Sequence, residues 1–194
     1  MKKTEIGDIP RLNAGRICLK RVEEGDAEAL AELIKNENAG DTLPLFLLER
    51  QCTDASEAVR RMNEAGGDSA FLGIYEDGTF CGLAELYGMS GDGRRISVGS
   101  RLLERCRSRG IATQTMDLLV RWLFVETDVR TVTADTLSTN RSAAAVLKKS
   151  GFRPASRNQP ADWGYPEPVE VDTWILERPD GHGTGKGSET EESI

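Results

Sequence analysis

The stretch SAFLGIYEDGTFCGLAELYGM, residues 69–89, constrains the fold more than any other part of the chain. Two apolar-rich segments flank Asp77-Gly78, and an Asp-Gly pair is a favoured two-residue connection between antiparallel strands. The pattern therefore predicts a β-hairpin. Residues 94–103, RRISVGSRLL, continue it with a further strand, so this part of the chain should form an antiparallel meander.

Strand character recurs on both sides of this meander. Residues 16–22, RICLKRV, alternate apolar and polar side chains, with Ile17, Leu19 and Val22 near one face. Residues 129–137, VRTVTADTL, are rich in β-branched side chains. Outside the hairpin, the predicted strands are 16–22, 94–103, 129–137 and 169–178.

Apolar side chains recur at helical spacing in the segments between these strands. Asp54 or Ser56 is expected to cap one helix, and Gly151 is expected to end another as its C′ residue. Residues 37–53 are ambiguous, since their Leu and Phe side chains suit either a short helix or an apolar flap. The predicted helices are 23–36, 54–65, 110–127 and 140–152.

The order of elements is therefore β-α-α-β-β-β-α-β-α-β. It predicts a single mixed α/β (α+β) domain with helices on both faces of the sheet. We assign residues 1–15 to an N-terminal arm and residues 16–178 to the domain. Residues 179–194, PDGHGTGKGSETEESI, are acidic and glycine-rich with almost no apolar side chains, which predicts a disordered tail.

Composition narrows the classes of function. The formal net charge is −7, and a mildly acidic domain is a poor nucleic-acid binder. No apolar run of 18 residues is present, so no membrane partner is expected. Cys18, Cys52, Cys81 and Cys106 lack C-x-x-C spacing and no secretory signal is visible, which predicts free thiols in a reducing cytoplasm. The single histidine, His182, lies in the tail, so neither histidine catalysis nor a metal site is expected in the domain.

Residues 107–112, RSRGIA, place arginines and a glycine where a helix begins. A helix N-terminus offers unpaired backbone N–H groups and a partial positive charge, and glycine lets a ligand approach the backbone closely. Phosphates favour such sites. The segment suits an anion-binding loop, although a basic surface turn would have the same composition.

Two sequence motifs, taken together, resemble those of a known protein family. Residues 107–112 match the R/Q-x-x-G-x-G/A loop of the GNAT superfamily of acyl-CoA-dependent N-acyltransferases, and residues 140–152, NRSAAAVLKKSGF, match its N-x-x-A/S-x-x-V-L-x-K-x-G-F helix. The chain most resembles the branch related to ribosomal-protein N-terminal alanine acetyltransferases. The motifs span residues 96–152, and the order of elements extends the match to about 16–178. A GNAT-like, mainly antiparallel central sheet is implied.

The resemblance implies acetyl-CoA as the co-substrate. Backbone N–H groups of the loop would hold the pyrophosphate, and Arg107 and Arg109 would add positive charge. The loop residues concerned are Ser108, Arg109, Gly110, Ile111, Ala112 and Thr113.

The same resemblance places the pantetheine arm between two strands. The strand that ends at Leu102 and Leu103 would diverge from residues 129–137, so that its free backbone groups pair with the arm as with an added strand. Asn140 would donate a hydrogen bond to the pantetheine, or would simply cap its helix.

Acetyl transfer requires a neutral amine, a polarised carbonyl and a protonated leaving thiolate. Glu85, in the second strand of the hairpin, is our candidate for the general base; the alternative is an exposed strand glutamate. Many members of the superfamily carry a glutamate on the following strand, whereas RRISVG has none.

The proton donor to the thiolate is open. A tyrosine is common in the superfamily where Leu147 stands here, and the related branch often has a serine where Ala143 stands. Ser142 is our candidate, and solvent, Tyr87 or Tyr165 are the alternatives.

The acceptor is expected to be a primary amine, either a peptide N-terminus or a small-molecule amine. The first two helices, residues 43–52 and the late loop 157–170 are expected to form its pocket, because both segments carry large apolar side chains. The alternative function is a non-catalytic acyl-CoA-binding module of the same fold. The apolar stretch at residues 43–48 also suits a homodimer contact.

Overall fold

A computed structural model describes residues 6–35, 52, 54–67, 69–163 and 167–179. One eight-stranded sheet has the order β1-β2-β3-β4-β5-β6-β8-β7, and every neighbouring pair is antiparallel except β5 with β6. The mixed, mainly antiparallel α/β fold is confirmed. The strands are β1 Leu12–Ala14, β2 Ile17–Lys20, β3 Ala70–Glu76, β4 Thr79–Tyr87, β5 Arg95–Leu102, β6 Thr131–Leu137, β7 Arg153–Ala161 and β8 Val169–Glu177.

Strands β3 and β4 form the predicted hairpin. Glu76 pairs with Thr79, and the two connecting residues Asp77 and Gly78 have φ angles of 49° and 82°. Positive φ at both positions is the signature of a type I′ turn, whose twist matches that of the flanking strands. The Asp-Gly pair therefore fixes the register of the strand that carries Glu85.

All four predicted helices are present. Asp54 caps the second helix by accepting a 2.8 Å hydrogen bond from the Glu57 backbone N–H, so Asp54 is the cap rather than Ser56. Gly151 follows the last helix with a φ of 85°, as expected of a C′ glycine. The helices are α1 Ala27–Lys35, α2 Ala55–Glu64, α3 Ile111–Glu126 and α4 Arg141–Lys149.

The helices cover both faces of the sheet, as predicted. The ammonium of Lys148 on α4 lies 5.9 Å from the ring centroid of Trp174 on β8. Arg178, four residues further along, donates a 2.8 Å hydrogen bond to the Thr127 carbonyl at the end of α3. On the other face, the hydroxyl of Tyr75 donates to Asp26, which precedes α1. We refer to these as the α3/α4 face and the α1/α2 face, since α2 packs beside α1.

Two edge strands were not predicted. Strand β7 lies in a segment assigned partly to the late loop, and its sequence RPASRNQPA is almost wholly exposed, without apolar alternation. Its two prolines, Pro154 and Pro160, are tolerated because β7 is an edge strand with few ladder bonds to lose. Strand β1 is only three residues long, too short to give a pattern.

The segment predicted as an N-terminal arm contributes to the domain from residue 6 onward. Ile6 and Ile9 are buried in the hydrophobic core, and β1 forms the opposite edge of the sheet. The ambiguous segment 37–53 lies outside the described residues except for Cys52, as does the predicted tail except for Pro179.

All four cysteines are described and none forms a disulfide, which confirms the expected free thiols. None of the helices that the structure describes is long and apolar enough to span a bilayer.

Candidate active site

The sheet opens between its two parallel strands. Strands β5 and β6 pair only from Arg95–Ser97 to Thr131–Thr133, although they continue to Leu102 and Leu137. Beyond this short ladder, β5 remains paired with β4 and β6 remains paired with β8. The predicted divergence of these strands is confirmed, and it leaves one backbone edge of each strand facing a gap.

A cavity of about 490 Å³ occupies the gap. Its walls come from the diverging ends of β5 and β6, from the start of α3 and from the start of α4. Leu33 of α1 closes it on the opposite face of the sheet. The cavity therefore passes through the sheet, with one half on each face.

The loop before α3 has the geometry of an anion site. Arg107 is extended, Ser108 has a φ of 60°, and Gly110, the N-cap of α3, has a φ of 80°. Left-handed residues within such a turn direct successive N–H groups to one side. The first turn of α3 adds N–H groups that lack helical partners. Arg107, Ser108 and Ala112 line the cavity, so this loop faces the space where a ligand fits.

The arginines of this loop contact the protein. Arg107 donates from Nε to the Leu102 carbonyl at 3.2 Å, which ties the loop to the end of β5. Arg109 forms a 2.5 Å ion pair with the buried carboxylate of Glu76, which also binds Arg16 at 3.0 Å. The loop is thus held in place on both sides.

The predicted cofactor residues separate into three groups. Leu102, Arg107, Ser108, Ala112 and Asn140 line the cavity. Leu103 and Ile111 lie in the core with 1% of their surface exposed, so that only their backbone groups are available. The cavity-lining residues do not include Arg109, Gly110 or Thr113.

Asn140 is the N-cap of α4. Its Oδ1 accepts a 3.0 Å hydrogen bond from the Ala143 N–H, as the capping alternative predicts. Because Asn140 also lines the cavity, its amide is placed to serve a ligand at the same time.

Ser142, the predicted proton donor, lies exposed in the first turn of α4 and lines the cavity. Leu147, one and a half turns further, also lines it. Tyr165 lies outside the described residues. The described part of the late loop, including the residues now assigned to β7, does not line the cavity.

Glu85 lies in the half of the cavity on the α1/α2 face. It is only 1% exposed, so the alternative of an exposed strand glutamate is excluded. Its Oε1 accepts hydrogen bonds from Nε and Nη2 of Arg101 at 3.0 and 2.5 Å. Gly99 stands opposite Glu85, and a Cβ atom there would lie at ordinary contact distance from Tyr87 and Glu85, 3.8 and 4.0 Å away.

Asp135 is the cavity carboxylate that sequence reasoning missed. It lies on β6 just beyond the last residue paired with β5, and it lines the cavity. Burial, together with the negative charges of Asp135 and Glu85, raises the pKa of the Tyr87 phenol well above its usual range. In the sequence, Asp135 could have been identified only as the single acidic residue in the β-branched stretch TVTADTL.

These features define a class: an α/β protein whose sheet opens to admit an extended ligand beside an anion-binding loop. The acetyltransferase (GNAT) domain family matches residues 16–153. The chain belongs to the GNAT acetyltransferase family.

Individual relatives agree with this assignment. YdaF, a proposed ribosomal N-acetyltransferase of Bacillus subtilis (strain 168), is 26% identical over 143 residues, covering 70% of this chain and 77% of YdaF. The structure is also similar to that of RimL, a ribosomal L7/L12 alpha-N-protein acetyltransferase in complex with coenzyme A. The TM-score is 0.73 at 15% identity, covering 87% of this chain and 98% of RimL.

A third similar structure is that of MccE, a microcin C7 self-immunity acetyltransferase in complex with acetyl-CoA and AMP. Its TM-score is 0.69 at 14% identity, covering 84% of this chain and 93% of MccE. The protein is thus a GNAT-type N-acetyltransferase, and acetyl-CoA is its co-substrate.

Proposed function

We propose that this cavity transfers the acetyl group of acetyl-CoA directly to a primary amine, with both substrates bound together. The observation that carries the proposal is the gap between β5 and β6, which joins the anion loop on one face to the carboxylates on the other. Acetyl-CoA enters from the α3/α4 face and the amine from the α1/α2 face. The cavity-lining residues that the structure describes include no cysteine that could carry an acetyl group.

The cofactor occupies the α3/α4 half in this proposal. The backbone of residues 108–113, with Arg107 and Arg109 beside it, holds the pyrophosphate at the positive end of α3. The pantetheine arm lies along the open edge of β5 up to Leu102 and Leu103, where strand-like hydrogen bonds are available. Asn140 contacts the same arm from the start of α4.

The chemistry takes place where the two halves meet. The amine lone pair attacks the thioester carbonyl carbon, and open N–H groups of β5 stabilise the negative charge on its oxygen. Glu85 takes the proton that the nitrogen loses, directly or through water. The C–S bond then breaks with its electron pair going to sulfur, and Ser142 or solvent protonates the thiolate.

Arg101 has a supporting part in this scheme. Its guanidinium hydrogen-bonds to Oε1 of Glu85 and holds the carboxylate in one orientation inside a buried site, where an unpaired charge would be costly.

The acceptor is a peptide N-terminus or a small-molecule amine. YdaF and RimL, by their names, are ribosomal acetyltransferases, which supports a peptide N-terminus. We further propose that the protein works in the cytoplasm, where its four free thiols stay reduced. A homodimer remains part of the proposal, to be tested by its mass in solution.

The first experiment is a thermal melt with acetyl-CoA for the wild type and Gly110→Asp. A ligand at 100 times its Kd stabilises the folded state by about 2.7 kcal/mol. The substitution combines a strained φ of +80° with a negative charge in the anion loop, so we expect the shift to vanish. Gly93→Asp, at an open position that has a φ of +69° and does not line the cavity, is the matched control.

The second experiment measures thiol release with an alanine-terminated peptide and with spermidine. Turnover of either confirms the reaction. An acetyl-CoA shift without turnover of any primary amine would contradict the catalytic proposal and favour a binding module.

A further inference from the structure

We propose that Asp135 binds the acceptor as an ammonium ion and thereby selects amines that are protonated at neutral pH. The inference rests on the proposed function, since it assigns the half of the cavity opposite acetyl-CoA. Nothing in the sequence motifs points to this residue.

The strand register places Asp135 on the acceptor side of the sheet. Ser97 of β5 pairs with Thr133 of β6 and with Tyr87 of β4. Paired residues point to the same face and alternate residues repeat it, so Asp135 shares the α1/α2 face with Tyr87 and Glu85. It lies two residues past the last paired position, where the gap begins.

One oxygen of the Asp135 carboxylate lacks a hydrogen-bond donor among the described residues. Its Oδ1 is buried, and no residue that the structure describes donates a hydrogen bond to it. A buried acceptor without a donor costs free energy that a ligand N–H group would recover. Acceptor amines have several N–H groups, and three when protonated.

The two buried carboxylates outside the cavity, Asp172 and Glu76, already have donors among the described residues. Asp172 accepts from the Ser138 hydroxyl at 2.7 Å and the Asn158 N–H at 2.9 Å. Glu76 binds two arginines, as described above. Asp135 differs from these structural carboxylates and lines a cavity as well.

Among the described residues that line the cavity, Asp135 is the acidic group to which no basic side chain is paired. Among the cavity-lining residues that share its face, Glu85 and Arg101 form an ion pair with each other, and Tyr87 stays neutral because its phenol pKa is raised. The remaining cavity-lining arginines, Arg107 and Arg141, lie beside α3 and α4 at the cofactor half. A cation therefore complements this half of the cavity.

The acceptor class follows from this charge. An aliphatic amine or a peptide α-amine binds Asp135 as R–NH₃⁺ and then passes one proton to Glu85 or water. The freed lone pair forms the C–N bond, and the C–S bond breaks with its electron pair going to sulfur. The nitrogen loses its second proton to solvent and the thiolate gains one from Ser142 or solvent, so the overall reaction releases one proton. Asp135 keeps its charge throughout and acts as a binding residue.

The test compares wild type, Asp135→Asn and Asp135→Glu with an alanine-terminated peptide at pH 6.5 and 9.0. A peptide α-amine has a pKa of about 7.7–8.0, so it is mainly charged at the lower pH and mainly neutral at the higher. A hydrogen bond between charged groups corresponds to roughly 10- to 100-fold in binding. We expect Asp135→Asn to raise KM by that factor at pH 6.5 and by much less at pH 9.0.

Further readouts separate this role from others. We expect kcat to change by less than about 3-fold, Asp135→Glu to restore part of the affinity, and acetyl-CoA to raise the melting temperature as in the wild type. Asp117→Asn, which removes an exposed charge from α3, is the control and should leave KM unchanged.

Several results would overturn the inference. An unchanged KM at pH 6.5 does so while leaving the proposed function intact. An equal loss of kcat at both pH values would identify Asp135 as the base, and weaker acetyl-CoA binding alone would assign it to the cofactor.

Calorimetry of peptide binding to the protein with coenzyme A gives an answer without turnover. We expect Asp135→Asn to weaken this binding at pH 6.5. If the wild type binds the peptide no better than the variant does, the inference fails. Failure of the wild type to acetylate any amine would contradict the proposed function separately.

Discussion

Residues on the neighbouring strand determine the surroundings of the Glu85 carboxylate. Gly99 of β5 lies opposite Glu85, and Arg101, two residues further along β5, supplies the countercharge. A buried carboxylate is tolerated when it is paired and hydrogen-bonded. The pair therefore keeps a buried carboxylate in the wall of the cavity, as our proposal of Glu85 as the general base requires.

Substituting Glu85 with glutamine should lower kcat by about 10²- to 10⁴-fold, the range typical of losing a general base. Acetyl-CoA should still raise the melting temperature, because the cofactor half of the cavity is untouched. Steady-state kinetics between pH 6 and 9 make the test, with Glu126→Gln at the exposed end of α3 as the control. A pH–rate profile identical to that of the wild type would rule out the base assignment.

At the scale of elements, the gap depends on how closely β4 approaches β5. A Cβ atom on Gly82 would lie 2.0 Å from the Arg101 carbonyl oxygen, which is backbone and cannot rotate away. Gly82 pairs with Leu102, at the end of β5 beside the gap. The glycine thus lets β5 follow β4 while β6 turns away.

We expect Gly82→Ala to destabilise the protein by about 1–3 kcal/mol or more, the usual range for overpacking. The displaced end of β5 should also weaken acetyl-CoA binding. Urea unfolding and a cofactor melt measure the two effects. Gly91→Ala, at an open position, serves for comparison; equal behaviour of the two variants would refute the close-packing argument.

The start of α4 allows capping to be separated from ligand binding. Aspartate caps a helix about as well as asparagine but lacks the amide donor. Asn140→Asp should therefore keep the melting temperature and weaken acetyl-CoA binding about 10-fold, as one lost hydrogen bond predicts.

Asn140→Ala should in addition lose about 1 kcal/mol of stability. Isothermal titration measures the affinity of each variant for acetyl-CoA. If Asn140→Asp binds acetyl-CoA as tightly as the wild type does, Asn140 has only its capping role.

Helices and strands that have a distinctive local sequence pattern could be predicted from the sequence, and those without such a pattern could not. The hairpin has its Asp-Gly turn, and α3 has a long apolar stripe, so both were placed within a residue or two. Strand β7 has neither alternation nor burial, because pairing with β8 rather than packing holds it at the edge. The anion loop was found for the same local reason, whereas Asp135 and Arg101 acquire meaning only from cross-strand register.

At the scale of the whole molecule, two buried tyrosines link stability to pH. Burial raises the pKa of Tyr75 and Tyr87 above their usual range, with a hydrogen bond to Asp26 adding to the effect at Tyr75. An unfolded tyrosine ionises near pH 10. The stabilisation is therefore complete below pH 10 and declines above it, because the unfolded chain releases its protons first.

We expect the free energy of unfolding to fall more between pH 8.0 and 10.5 in the wild type than in Tyr75→Phe. Lysines that titrate in the same range affect both proteins alike, so they cancel in the comparison. Urea unfolding at the two pH values provides the measurement, and equal falls would show that Tyr75 does not contribute to the linkage.

The gap between β5 and β6 also determines how fully the strands of the sheet are hydrogen-bonded before and after the cofactor binds. The two portions of the sheet share only a short ladder, and the strand edges beyond it carry backbone groups that do not pair with each other. A pantetheine arm bound there would act as a ninth strand made of non-protein atoms. Deuterium exchange of the backbone amides of residues 98–102 should then become slower when coenzyme A binds and faster again when it is released. Each catalytic cycle would therefore close the gap in the sheet and open it again.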